Sequence, residues 1–266
     1  MGVENLEYSV DGELFSYTTS NSLKIYAAAN GMLRNIISLD TDNMKYFQKN
    51  TLLHTKDSLI YYLSIYDNKH LRKFDAHKDT IKGLSVSSYD DLFMSVGTKK
   101  TNIWDIRYKD PIRSIQSNGK LGALSQDQEY TLADNNFMYI FDRRNDRGPL
   151  VVKDLKPNFY KSILYTMDNS CIAISSSKEH VFTANNGEFL SSCTAENDTV
   201  GDTMSDSNIF VYTSSNFIFA YNILDKKRIG RTKSPESQHS SLKACHNSSQ
   251  FITTSNLSLS IYNLVL

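Results

Sequence analysis

An all-β fold is what this sequence predicts: seven four-stranded antiparallel blades closed into a β-propeller. Three observations predict it. A short element ending on an aromatic residue recurs seven times at nearly constant spacing. Strand-like runs rich in β-branched and aromatic residues alternate with polar turn clusters from one end of the chain to the other. No long segment holds a 3.6-residue apolar period, and the nearest approach to a helix, residues 43–50, is short.

The recurring aromatics are Tyr26, Tyr66, Trp104, Phe141, Phe182, Tyr221 and Tyr262, at spacings of 40, 38, 37, 41, 39 and 41 residues. A four-stranded propeller blade takes about 40–45 residues. Each aromatic is read as closing a strand, the runs being 23–26, 63–67, 102–105, 138–142, 180–183, 218–222 and 259–263. Turn chemistry precedes each run, as in Ser20-Asn21-Ser22, Lys56-Asp57-Ser58, Asp134-Asn135-Asn136, Ser177-Lys178-Glu179 and Ser255-Asn256. Such residues tolerate the left-handed backbone that tight hairpins need. Before the turn comes another apolar run, such as Leu92-Phe93-Met94-Ser95-Val96 or Cys171-Ile172-Ala173-Ile174. Ahead of that comes an Asp- or Asn-led cluster: Asp11-Gly12, Asp90-Asp91, Asp127-Gln128, Asp168-Asn169, Asp206-Ser207 and Asn247-Ser248. Strand, turn, strand, turn, strand, repeated in this way, predicts one propeller domain over residues 1–266.

Composition bounds the function. The chain of 266 residues carries 29 Lys+Arg against 29 Asp+Glu, so it lacks the basic excess of a generic nucleic-acid footprint. At 40% hydrophobic and 22% charged it is too apolar and too neutral for disorder. No run approaches the ~18 apolar residues of a membrane-spanning helix, and the N-terminus has no secretory pattern. A cytosolic or nuclear protein is expected. Cys171, Cys193 and Cys245 are scattered, with no Cys-x-x-Cys pair, which points to buried thiols rather than a disulfide framework or zinc.

The best-preserved unit runs over residues 77–107, with His77, Ile81, Leu84, Asp90-Asp91, Ser95, Gly97, Thr101 and then Ile103-Trp104-Asp105-Ile106-Arg107. It resembles a WD repeat, which implies a structural hydrogen-bond network through His77, Ser95 and Trp104, with Asp105 completing the Trp-Asp dipeptide. Lys99-Lys100 replace the Asp expected in the turn before the third strand, so the network is expected to be incomplete. A more specific resemblance lies in Asn50-Thr51-Leu52-Leu53-His54 and in the stretch 62–77. There the Asp67-Asn68-Lys69 turn precedes a basic and aromatic strand. Together with the spacing onward to Asp105-Ile106-Arg107 and Phe141-Asp142-Arg143, this is similar to the WD-repeat subunit shared by COMPASS-type histone methyltransferase complexes and the cleavage and polyadenylation factor.

The resemblance implies a nuclear, non-catalytic scaffold, with the cytoplasm as a second location. Its partners would be protein subunits: a segment of a SET-domain methyltransferase acting on lysine four of histone three, and subunits of the mRNA 3′-end processing and termination machinery. No cofactor, membrane, small-molecule substrate or sequence-specific nucleic acid is implied. Asp67, Asn68, Lys69, Arg72, Arg107, Arg143 and Arg144 are the partner-binding candidates. A substrate adaptor of a ubiquitin ligase, or a general WD-repeat scaffold, is the alternative. A propeller hydrolase is disfavoured, since the chain has no Gly-x-Ser-x-Gly elbow, no phosphate-binding glycine loop and no ligand-spaced cluster among His54, His70, His77, His180, His239 and His246. His239 and His246 are assigned to a loop and a strand.

Two basic clusters, 143–148 and 226–233, are each expected where a third strand turns into an outer one; solvated hairpins explain both, and 226–233 also reads as an import signal. Ser234-Pro235 falls in an inter-blade loop. The short spacing leaves a last blade of three strands, or with a very short fourth. Such an open edge invites a partner's strand or another copy.

Overall fold

The computed structural model describes residues 3–265 other than 76, 88–89, 118, 135, 146, 157–158, 167, 197–198, 205–207, 236–238 and 256–257. Asn135, Asp206, Ser207 and Asn256, which the sequence assigns to turns, therefore lie outside the described residues. The described chain folds into seven antiparallel sheets, six of four strands and one of three.

Blade 1 is β1 (Glu4–Tyr8), β2 (Leu14–Thr19), β3 (Ser22–Ala27) and β4 (Leu33–Ser38). Blade 2 is β5 (Asn43–Gln48), β6 (Thr51–Lys56), β7 (Leu59–Ser64) and β8 (Lys69–Asp75). Blade 3 is β9 (Gly83–Val86), β10 (Leu92–Val96), β11 (Lys100–Asp105) and β12 (Arg113–Gln116). Blade 4 is β13 (Leu121–Leu124), β14 (Glu129–Ala133), β15 (Phe137–Asp142) and β16 (Val151–Asp154). Blade 5 is β17 (Tyr160–Tyr165), β18 (Cys171–Ser176), β19 (Glu179–Ala184) and β20 (Phe189–Thr194). Blade 6 is β21 (Gly201–Thr203), β22 (Ile209–Ser214), β23 (Phe217–Asn222) and β24 (Lys227–Lys233). Blade 7 has β25 (Ser241–Ala244), β26 (Gln250–Thr254) and β27 (Leu259–Asn263), the three-stranded last blade that the short repeats predict.

Each blade is a meander. The first strands touch one another in a closed circle, β1 to β5, β9, β13, β17, β21, β25 and back to β1, so they line the axis. Second strands lie sandwiched between neighbouring blades, which is why β18 and β22 are buried along their whole length. The apolar side chains gather between blades. Leu23 and Ile25 of blade 1 meet Met44 and Leu52 of blade 2. Phe47 and Phe74 meet Phe93 and Trp104, and Ile209 and Val211 meet Leu242 and Phe251. Each such side chain contributes about 1.5–3 kcal/mol by leaving water.

A cross-strand pair organises every blade. The second and third strands pair Phe15 with Tyr26, Leu52 with Leu63, Phe93 with Trp104, Tyr130 with Phe141, Ile172 with Thr183, Phe210 with Tyr221 and Phe251 with Tyr262. Four of these are parallel ring stacks at 4.8–5.7 Å, Phe15–Tyr26, Phe93–Trp104, Tyr130–Phe141 and Phe251–Tyr262.

Two expectations about the strand-closing aromatics are corrected, and the short helix-like stretch proves to be strand. Tyr66 does not close a strand; β7 ends at Ser64, Leu63 takes the paired position, and Tyr66 stands in the following turn, 88% exposed. Phe182 lies one residue before the paired position and packs toward blade 6, on Phe210 and Tyr221. Of residues 43–50, Asn43–Gln48 form the inner strand β5, where a register shift between Tyr46 and Gln48 lets Tyr46 and Phe47 both be buried, against opposite neighbours.

Among the described residues the ring closes between blades 7 and 1 without any strand exchanged between them. Tyr8, Phe15 and Ala28 pack on Cys245 and Ile252. The Tyr8 hydroxyl donates to Gln250 Oε1 at 2.8 Å, Asn247 Nδ2 donates to Val10 O at 3.2 Å, and Gln250 Nε2 donates to Ala28 O at 3.4 Å. Gly12 turns at φ 71°, and a Cβ there would stand 2.6 Å from Cys245 Sγ. Gly12→Ala is therefore expected to cost about 1–3 kcal/mol in urea unfolding, through both the backbone and the forced contact. An unchanged midpoint would show that the seam gives way freely.

Candidate functional site

At the axis the first strands enclose a cavity of about 470 Å³. Glu7 of β1 contacts Lys45 of β5, and Lys243 of β25 lies 3.5 Å from both Glu7 and Asp202 of β21. Burial works against the Lys243 charge, but Asp202 and Glu7 outweigh it and raise its proton affinity. Lys45, buried with Glu7 and crowded by Lys243, ends below the ordinary lysine range. Two cations and two anions thus neutralise one another across blades 1, 2, 6 and 7, an arrangement for holding blades in register. Among the described residues no three His, Cys or carboxylate groups converge as metal ligands.

Blade 3 carries the hydrogen-bond chain. Trp104 Nε1–H donates to Ser95 Oγ at 2.9 Å, and Ser95 Oγ lies 2.6 Å from His77 Nε2. With the indole donating to it, the serine hydroxyl is free to donate to the imidazole. No carboxylate completes the chain; Asn102, fully buried, approaches the same His77 nitrogen at 3.1 Å. Asp79 takes over the turn itself, accepting from Thr98 N at 3.0 Å. Asp105 faces the other way, into the turn after β11.

A second such histidine was not legible as one. His180 on β19 is fully buried, with Nδ1 2.8 Å from Ser175 Oγ and Nε2 2.9 Å from Thr199 Oγ1 in the loop ahead of blade 6. Thr199 donates onward to Thr213 O, so Nε2–H donates to Thr199 and Nδ1 accepts from Ser175. The histidine stands on the third strand instead of the inter-blade loop, still meets a second-strand serine, and gains a loop hydroxyl as its second partner.

The partner-binding candidates come together on one end of the ring, where third strands turn into fourth strands in blades 2 to 4. Asn68, at φ 58°, makes the β7–β8 turn, with Lys69 Nζ 3.4 Å from Asp67. The Asp67 carboxyl is held below its usual range chiefly by the Ser64 hydroxyl. Arg72 on β8 donates to Ile106 O of blade 3 at 2.7 Å. Blades 3 and 4 repeat one local device. Arg107 forks onto Asp105 and Arg144 onto Asp142, each arginine also giving its backbone N–H to the same carboxylate. Arg107 holds the Asp105 carboxyl well below its usual range. Arg143 is different: its side chain is 9% exposed and NH1 donates to Asp90 Oδ2 at 2.8 Å, tying blade 4 to blade 3. A hollow of about 520 Å³ opens beside it, lined by Asp90, Ile112, Arg113 and Arg144.

What remains presentable there is mixed basic and apolar. The side chains of Lys69, Arg107 and Arg144 are 75%, 66% and 71% exposed. Around them stand Tyr66, Leu71, Tyr108, Ile112 and Leu150, all more than half exposed. Sequence reasoning found the charges and missed this apolar set, because an exposed tyrosine in a turn reads like a strand-closing one.

The other basic cluster forms β24 and the turn before it. Arg228 donates to Tyr212 OH and stacks on Phe219 at 4.5 Å, and Arg231 stacks on Phe217 at 5.5 Å. Ser234 is 3% exposed. His246 lies in the turn after β25 rather than in a strand, at the opposite end of β25 from His239. The three cysteines are free and buried, with the Cys193 thiol pushed up to about 12 by burial.

Over 196 residues the chain is 25% identical to WD repeat-containing protein 82 of Drosophila melanogaster, covering 65% of this chain and 60% of that one. It is 27% identical over 118 residues to the Set1 complex component swd2 of Schizosaccharomyces pombe, covering 40% and 32%. Its relatives include WD-repeat proteins. Protein ANTHESIS POMOTING FACTOR 1 of Arabidopsis thaliana is 30% identical over 179 residues, covering 60% of this chain and 54% of that one. The matches thus span from a third to three fifths of these relatives' lengths, and none of the names is that of an enzyme. No family model matches. Among solved structures, KlHsv2 with loop 6CD replaced by a Gly-Ser linker superposes with a TM-score of 0.79 over 99% of this chain and 93% of that one, at 11% identity, which shows the propeller fold alone.

Burial drives the pKa of His180 down to about 3. The unfolded chain then takes up a proton near pH 6.5 that the folded one refuses. The contribution of His180 is fully present above that pH and is lost as pH falls toward 3. At pH 5 the loss is ~2 kcal/mol. Melting temperatures are expected to fall from pH 7 to pH 5, and His180→Asn to flatten that slope; an equal slope in the variant would locate the sensitivity elsewhere.

Proposed function

We propose that this chain is a non-catalytic nuclear scaffold. It holds a segment of a larger subunit in a histone-lysine methyltransferase assembly and serves the mRNA 3′-end processing machinery as well. The observation that carries this reading is the basic and apolar surface on blades 2 to 4. There Asp67, Asn68, Lys69, Arg72, Arg107 and Arg144 surround Tyr66 and Tyr108. Exposed tyrosines beside arginines are the residue types that carry binding energy in protein interfaces. The likeness to swd2, a Set1 complex component, supports the choice of assembly. Arg143 acts beneath the surface, as a positioning residue whose pair with Asp90 fixes one blade against the next.

Affinity-tagged protein recovered from nuclei is expected to bring down a SET-domain methyltransferase and polyadenylation subunits. Replacing Tyr66 and Tyr108 together by Ala is expected to lower that recovery about tenfold, as the loss of ~1.4 kcal/mol requires. Both side chains are exposed, so the melting temperature should hold. Recovery of neither assembly would overturn the reading, and undiminished recovery by the double variant would remove this surface from it.

A further inference from the structure

Blades 1 and 6 present the same aromatic trio to the blade before them: Phe15, Tyr17 and Tyr26 in one, Phe210, Tyr212 and Tyr221 in the other. In blade 6 the trio is covered by β20, the fourth strand of blade 5. The small side chains of Ser191 and Cys193 point inward there, and Tyr221 OH donates to Ser192 O at 3.3 Å. Tyr212 and Tyr221 are accordingly 0% and 5% exposed. In blade 1 the preceding blade has no fourth strand among the described residues. Tyr17 and Tyr26 stay half-buried, their rings stacked at 5.6 Å and their hydroxyls 3.1 Å apart. Ile261 of β27 faces the same space and is 36% exposed, whereas its counterparts Ile25, Ile103, Ile140 and Ala220 are 0–3% exposed.

Two features leave this edge open to pairing. The outer strands of blades 2, 3, 4 and 6 carry Lys69, Arg113, Lys153 and Lys227, charges of the kind that keep strand edges from pairing. β27, Leu-Ser-Ile-Tyr-Asn, carries none, as β20 of blade 5 carries none. Lys24, two residues before Tyr26 on β3, lies on the same face, 5.8 Å from the Tyr17 ring centre, and none of its ion pairs is with a described carboxylate. It stands where Phe219 stands in blade 6.

We propose that the groove between β27 and the Tyr17–Tyr26–Lys24 face binds an extended segment of another polypeptide as the fourth strand of blade 7. The segment runs antiparallel to β27, with small side chains at two alternate inward positions and a carboxylate two residues further on. The small pair sits over the tyrosines as Ser191 and Cys193 sit over Tyr212 and Tyr221. The Tyr26 hydroxyl donates to the carbonyl between them. The carboxylate, in the place of Ala195 of blade 5, pairs with Lys24. A second copy of β27 would bring Leu259 and Ile261, side chains too large for a groove already filled by aromatic rings. This proposal does not rest on the methyltransferase reading and names a different surface.

The test uses intact protein and a labelled peptide of residues 188–196 of this chain bearing Cys193→Ser and Ala195→Glu, followed by fluorescence anisotropy. Saturable one-to-one binding is expected. Binding should be about tenfold weaker when Leu replaces both small residues, and lost when Pro replaces the second of them, whose N–H joins the ladder to β27. Lys24→Glu is expected to weaken binding, and a peptide with Lys at the acidic position to restore it on that variant. The peptide changes leave the protein itself untouched. Absence of binding, equal binding of the Leu or Pro peptides, or indifference to Lys24→Glu would overturn the proposal. So would a dimer in sedimentation that Ile261→Lys dissociates, which would give the edge to a second copy.

Discussion

A ring of blades buries its apolar faces only if it closes, and here everything depends on the seam between blades 7 and 1. Each blade shields one face of its neighbour, so an open seam would expose two faces at once. Among the described residues the seam has no shared strand. It is held by Tyr8, Phe15 and Ala28 against Cys245 and Ile252, by the Tyr8–Gln250 hydrogen bond, and by the turn at Gly12 that admits the Cys245 sulfur. The axial ion pairs serve the same end, since Glu7, Lys45, Lys243 and Asp202 belong to the blades on either side of it. Breaking one partner of such a buried set leaves the others uncompensated, which makes the arrangement sensitive rather than strong.

Within a blade the governing regularity is the hairpin of the second and third strands. In all seven blades the paired residues are eleven apart, from Phe15 and Tyr26 to Phe251 and Tyr262. In blades 1, 3, 4, 6 and 7 that interval stands in the sequence as a second aromatic eleven residues ahead of the strand-closing one. Counting only the closing residues found the seven blades but misplaced two. Blade 2 uses Leu63 and blade 5 Thr183, so the nearby aromatics Tyr66 and Phe182 mimic the closing position without occupying it. An aromatic identity cannot distinguish a buried strand position from a turn, whereas a fixed hairpin length can. Residues 43–50 were unreadable for another reason, because a bulge breaks the two-residue alternation on which strand recognition rests.

The site was legible in part. Asp105 with Arg107 and Asp142 with Arg144 share a spacing, aromatic–Asp–x–Arg, that follows the strand end directly and places both forks on one end of the ring. Local geometry carries that far. What sequence could not carry is the inter-blade step: that Arg143 turns inward to Asp90, that Arg72 reaches the carbonyl of Ile106, or that Asn102 replaces the missing carboxylate beside His77. Each depends on how one blade is rotated against the next, and in blades 3 and 5 a buried histidine reaches a second-strand serine from two different elements.

The seam and the uncovered groove are one structural fact seen from two sides. A fourth strand in blade 7 would bury Ile261 and the tyrosine pair and so strengthen closure, at a few kcal/mol by the usual measure for apolar burial. Without it, blade 7 holds blade 1 through its inner strands and turns alone. Whatever fills that groove gains binding energy from surface the ring itself needs covered, so ligand and fold are thermodynamically linked, and occupancy stabilises the closed ring by mass action. The uncharged β27 belongs to this logic. Like β20 of blade 5, it lacks the lysine by which the outer strands of blades 2, 4 and 6 discourage pairing, so nothing on it opposes an added strand.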